Sequence, residues 1–108
     1  MVQLRQRLIR SANLRTSRWD ALLMPTIPMI APRIADMQRS DEDFFRINTA
    51  LLRNCAPFNV LNRPCWSLPC HRVGEAPVGL MIVGETDRDD ELQAIGRSVE
   101  RALLSIRD

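Results

Sequence analysis

Lysine is absent: all fifteen basic residues, from Arg5 to Arg107, are arginines. No ε-amine is therefore available for a Schiff base, for a P-loop phosphate contact or for a lysine general base, so chemistry that needs one is closed to this chain alone. Glycine is scarce. The four glycines, Gly74, Gly79, Gly84 and Gly96, form neither G-x-G-x-x-G nor G-x-S-x-G, which removes the dinucleotide-binding and α/β-hydrolase motifs. With no Gly-rich turn, the backbone amides that usually make an oxyanion hole are also missing.

Charge of one sign is equally short, since 15 basic residues against 13 acidic ones leave a net charge of +2. Nucleic-acid and membrane-surface binding usually come with a clustered basic face, so neither partner is expected. The longest nearly apolar stretch, Ala21 to Ala35, is interrupted by Pro25, Pro28, Pro32 and Arg33 and falls below the roughly 20 apolar residues that span a bilayer. Met1 to Arg10 is charged and amphipathic, without the apolar core of a signal peptide. The odd set Cys55, Cys65 and Cys70 suits a reducing compartment better than a disulfide framework. A cytoplasmic location is the expectation.

What is there describes an ordinary folded domain: 45% hydrophobic and 26% charged residues, read as one segment over 1–108. Leu4, Leu8, Ile9 and Ala12 lie among arginines at helical spacing, so the first eighteen residues form a helix with one apolar stripe. Trp19 to Met24 reads as a short buried strand stopped by Pro25, followed by an extended connection through Pro28 and Pro32. Ser40 caps a helix over about 41–54, with Asp41, Glu42 and Asp43 in its first turn and Phe44, Ile47, Leu51 and Leu52 along one face. Asn54 to Pro64 breaks regular structure, and Cys65 to Leu68 is a second strand. Val78 to Val83 is a continuous apolar run, the mark of a central strand covered on both faces.

A last helix starts from the acidic run Asp87 to Glu91 and carries Leu92, Ile95, Val99, Leu103 and Ile106 at spacings of three and four. Gly96 in its middle costs about 1 kcal/mol relative to alanine, which makes sense where another element packs closely. The element order is α-β-α-β-β-α. A helix between the first two strands permits a right-handed parallel crossover, and the short connection between the last two favours antiparallel pairing, so a mixed sheet is expected.

Few residues invite chemistry. His71 is the only histidine and follows Cys70, with Cys65 five positions earlier. Adjacent strand residues point to opposite faces, and zinc spacings such as C-x-x-C are lacking, so apolar cysteines and a loop histidine are the better account. The acidic runs 41–43 and 87–91 sit where a helix dipole favours negative charge and read as caps. Arg5, Arg7, Arg10, Arg15 and Arg18 form a solvated face, with only Trp19 nearby for stacking. No catalytic residue, no cofactor-binding residue and no metal ligand is assigned.

Asp20-Ala21-Leu22-Leu23-Met24-Pro25-Thr26 followed by Ala31-Pro32-Arg33-Ile34 resembles the late "D-x-L-L-x-P-T … A-P" segment of the amidase signature enzymes. The likeness continues, collinearly, through Arg53-Asn54, Phe58-Asn59, Pro64, Ser67-Leu68-Pro69-Cys70 and the run Ala76 to Gly84, which is similar to that family's "G-x-P-x-G-L-Q-L-V-G". Asp90-Glu91-Leu92 resembles the acidic start of its last helix. Departures are local: Arg63 stands where glycine is common, Met81 replaces a frequent glutamine, and Cys70 stands where the family often has a residue leading to glycine.

The resemblance runs from about Arg18 to Leu104 and covers only the family's C-terminal portion. It implies an α/β fold around a mixed sheet flanked by helices, in which carboxamides are hydrolysed by a Ser, cis-Ser, Lys triad. That triad lies in a Gly/Ser-rich region well before this segment, so no family catalytic residue maps onto a numbered position here. The expectation is a scaffold segment of an amidase-type hydrolase, inactive by itself and partnered by an N-terminal catalytic portion. The alternative is a non-catalytic module on the same scaffold that self-associates through its exposed sheet.

Overall fold

The computed structural model describes residues 1–107. Its elements, in chain order, are α1 (Val2–Thr16), β1 (Leu22–Pro25), α2 (Ile34–Met37), α3 (Asp41–Leu52), α4 (Ala56–Val60), β2 (Cys65–Pro69), β3 (Gly79–Val83) and α5 (Asp89–Arg107). Two short helices join the expected elements, and the first strand differs from its expectation: it starts at Leu22, includes Pro25 and buries no residue, because it is an edge strand with one partner. α2 interrupts the extended connection after β1. α4 occupies the stretch read as irregular, where Pro57 falls in the first turn and its missing amide proton has no intrahelical acceptor to lose.

The sheet has the order β1-β3-β2, and β3 runs antiparallel to both neighbours. This corrects the mixed sheet: β1 and β2 do point the same way, but β3 lies between them, so no parallel ladder forms. The physical reason is in the strands themselves. β3 is apolar throughout and gains most from a position with partners on both sides. β1 ends on Pro25 and β2 on Pro69, and proline, which cannot donate to a ladder, is tolerated at sheet edges.

Alternation along β3 divides the core into two layers. Met81 and Val83 face one side, where Phe58 of α4 is buried and Leu22, Met24, Cys55 and Leu61 pack around them. Ile82 faces the other, against Leu68 and Leu92, with Trp66, Ile95, Val99 and Leu103 around it. Ile82 and Val83 are both 0% exposed, which confirms the central, doubly covered strand read from the apolar run. Gly96 has the close neighbour expected of it: a Cβ there would stand 2.8 Å from Cζ3 of Trp66, so α5 lies directly on the indole.

Helix ends follow local chemistry. Ser40 Oγ accepts the Asp43 amide at 3.0 Å and caps α3, while Asp41, Glu42 and Asp43 occupy its first turn. The Arg46 guanidinium, which donates to the Asp43 carboxylate at 3.1 Å, holds that carboxyl below the usual aspartate range. Arg88 bridges Glu85 and Glu91 at the start of α5.

α1 buries no residue and is tied down by polar contacts instead. Arg5 Nε donates to the carbonyl of Val60 at 2.9 Å, and Asn13 Nδ2 donates to Thr86 Oγ1 at 3.2 Å. Arg63, at 8% exposure, donates from Nε to the Gly84 carbonyl at 2.6 Å and from Nη1 to Thr16 Oγ1 at 2.9 Å. This buried cation therefore pins α1 to the end of β3.

The molecule is a slab of 44 × 42 × 18 Å with a radius of gyration of 16.3 Å. A compact chain of this length would have about 13 Å. Its accessible surface is 8231 Å². A folded monomer of its mass is expected to expose about 6,100 Å². The excess of about 2,100 Å² carries exposed apolar side chains, among them Leu23 on β1, Phe44 and Phe45 on α3, and Ile27, Ile30 and Ile34 between them.

Candidate functional site

A groove of about 520 Å³ lies at the end of the sheet where β1 leaves and β3 enters. Its walls come from the proline-rich segment after β1 (Ile27, Met29, Pro32), from Leu51 of α3 and from the β2–β3 connection (Pro77, Val78). The first wall bends over residues 26–29, and Pro25, Pro28 and Pro32 fix φ along it.

Three polar side chains line this apolar groove: Thr26, Ser67 and His71. The Thr26 amide continues the β1 ladder by donating to the Gly79 carbonyl at 3.0 Å. Its hydroxyl lies 2.6 Å from that of Ser67, which comes from the opposite edge strand. The two can meet because Gly79 lies between them on β3. A Cβ there would stand 2.6 Å from Ser67 Oγ and 2.8 Å from Thr26 Oγ1.

His71 and Cys70 are used locally. His71 Nδ1 accepts the Val78 amide at 3.2 Å, and Cys70 accompanies it with an Sγ to Val78 carbonyl contact of 3.6 Å. Both side chains therefore brace the mouth of the 71–77 connection, whose turn places Gly74 at φ +87°. Cys65 lies on the other length of β2 and contacts the Arg63 carbonyl at 3.7 Å. Cys65 is exposed at the sheet edge, and partial desolvation, with the neighbouring Cys55 thiol, pushes its thiol above the ordinary range, the opposite of an activated nucleophile. Among the described residues no group of three or more His, Cys, Asp or Glu side chains is placed to hold a metal ion.

The basic face of α1 is partly engaged as well. Arg5 reaches α4, and the Arg18 guanidinium sits 4.2 Å from the centroid of the Trp19 ring, covering one face of it. No helix among the described residues is long and apolar enough to cross a membrane.

Thr26 and Ser67 carry no spacing signal for chemistry of their own, although both stand inside the motifs Asp20 to Thr26 and Ser67 to Cys70. The one local signal was Gly79 at the head of an apolar strand, a place where a side chain is normally an advantage and its absence marks a close approach.

Fold and groove together define an α/β scaffold with an apolar cleft at the sheet end. The chain belongs to the amidase family: the family model described as Amidase matches residues 1–92. It is 32% identical over 84 residues to a Rhodococcus erythropolis protein described as an uncharacterized protein in nthA 5'region, covering 78% of this chain and 42% of that one. It is 34% identical over 83 residues to the enantioselective amidase of Rhodococcus rhodochrous, 76% of this chain and 16% of that enzyme. The 6-aminohexanoate-cyclic-dimer hydrolase of Paenarthrobacter ureafaciens is 30% identical over 94 residues, 79% of this chain and 19% of the hydrolase. The chain thus spans well under half the length of these relatives. No solved structure matches it.

Proposed function

We propose that this chain is the C-terminal scaffold segment of a cytoplasmic amidase-type hydrolase. The observation that carries the reading is the family match over residues 1–92, set against relatives of which the chain covers 42%, 16% and 19%. A Ser, cis-Ser, Lys triad outside this chain performs the chemistry that the resemblance implies. Serine attacks the carboxamide carbon, the C–N bond breaks as the amine leaves with a proton, and water then releases the acid. A chain without lysine cannot supply the triad's lysine.

The role left to these residues is structural and steric. β1, β3 and β2 brace the catalytic layer, and the apolar groove holds part of the substrate. The exposed surface fits this role: about 2,100 Å² beyond a monomer's expectation exceeds the roughly 800 Å² per partner of a standard interface. Joined to a catalytic portion from the same family, the chain yields amide turnover; alone, it yields none. Hydrolysis of simple amides by the isolated chain, with contaminants excluded, overturns the division of labour.

The same exposed surface supports a second reading, a non-catalytic module that self-associates. Sedimentation at micromolar concentration separates the two, because a module of that kind is an oligomer by itself, whereas a scaffold segment forms a stoichiometric complex only with the catalytic portion.

A further inference from the structure

The hydroxyl pair in the groove is built with some care. Thr26 and Ser67 belong to opposite edges of the sheet, and only the missing side chain of Gly79 lets their oxygens approach to 2.6 Å. Two hydroxyls joined by one hydrogen bond commit one of their two hydrogens and leave the second, with lone pairs on both oxygens, for another partner. Their mutual hydrogen bond fixes both oxygens at the groove wall. The pair therefore offers one donor and one acceptor to whatever enters.

The rest of the lining restricts the visitor. It contains no Asp, Glu or Arg, and its single titratable group is His71, whose Nδ1 accepts the Val78 amide. An ion entering such a groove would lose hydration without meeting a counter-charge, whereas a neutral apolar group would bury surface at a gain.

We propose that this groove recognises the non-reacting part of a neutral amide substrate, an aryl or branched-alkyl group bearing one uncharged hydrogen-bonding function, and that the Thr26–Ser67 pair over Gly79 reads that function. The assignment rests on the amidase reading above for the word substrate; the binding site itself does not require it. Thr26 and Ser67 are specificity-determining residues in this scheme and take no part in bond cleavage.

The test uses benzyl alcohol and its anionic counterpart benzoate, titrated into the chain and followed by backbone amide shifts. Benzyl alcohol moves the amides of Ser67, Val78 and Gly79, and benzoate binds at least tenfold more weakly. Ser67→Ala and Thr26→Val each weaken benzyl alcohol about tenfold. Equal affinity for the two probes, or unchanged affinity in both variants, overturns the proposal. In the assembly with a catalytic portion, Ser67→Ala raises KM about tenfold for mandelamide and leaves phenylacetamide, which lacks the hydroxyl, unchanged, with kcat unaffected for both. Hydrolysis in which the variant treats the two amides alike refutes the groove assignment and leaves the amidase reading standing. Absence of any hydrolysis refutes the amidase reading, and the titration still decides the groove.

Discussion

Replacing Gly96 by alanine should change sign with the residue facing it. In an isolated helix the substitution stabilises by about 1 kcal/mol, because glycine loses more backbone freedom on folding. Here the added Cβ would stand 2.8 Å from Cζ3 and 3.0 Å from Cδ2 of Trp66, with Cε3 nearer still. Real Cβ atoms do not approach ring carbons that closely, so α5 must lift from β2 or the indole must leave its rotamer, an overpacking cost of about 1–3 kcal/mol. The net expectation for Gly96→Ala is a destabilisation of about 1 kcal/mol.

Trp66→Val removes every ring atom that the new methyl would meet while keeping a β-branched residue suited to a strand. In that background Gly96→Ala should stabilise by about 1 kcal/mol, which makes the coupling between the two positions about 2 kcal/mol. Urea unfolding followed by far-UV circular dichroism measures all four chains without relying on the tryptophan that is being changed. A Gly96→Ala chain that is more stable than the parent, or an effect of one sign in both backgrounds, would refute the close contact between α5 and Trp66.

Three further outcomes follow from the polar contacts. Ser40→Ala removes the cap of α3 and should cost about 1 kcal/mol in the same unfolding assay; an unchanged midpoint would mean that the Asp43 amide finds water equally well. Arg63→Met keeps the stem but loses the bonds to Gly84 and Thr16, so stability should fall by about 2 kcal/mol and the amides of α1 should exchange faster than those of α5, a contrast that uniform exchange would contradict. Because partial desolvation raises the exposed Cys65 thiol, its folded pKa lies above its unfolded one. Its contribution to stability is then complete below the unfolded thiol pKa and is lost as pH rises through the folded value. Alkylation of Cys65 by iodoacetamide, read by peptide mass, should therefore require higher pH in the folded chain than in urea, and a midpoint at or below the unfolded one would remove the desolvation effect.

Several elements were legible because their causes are local. The 78–83 run is apolar without alternation, which only a doubly covered strand explains, and β3 is that strand with Ile82 and Val83 fully buried. Ser40 and the acidic residues after it announced α3 through capping chemistry that acts within one turn. Gly96 pointed to a close neighbour before the neighbour was known to be Trp66. The short helices α2 and α4 were not legible, since four or five residues among prolines carry too little periodicity to tell a helix from a bend.

The kind of segment this is was written in local pattern: the order of strong elements, the family motifs from Asp20 to Gly84, and the lack of lysine. Tertiary structure alone decided that β3 inserts between β1 and β2 and makes the sheet antiparallel, because strand order depends on which distant edges find each other and leaves no mark on either strand's own pattern. It also decided the site. Thr26 and Ser67 are 41 positions apart, and the hydrogen bond between them exists only because both edge strands pair with β3 at the register that puts Gly79 beneath it.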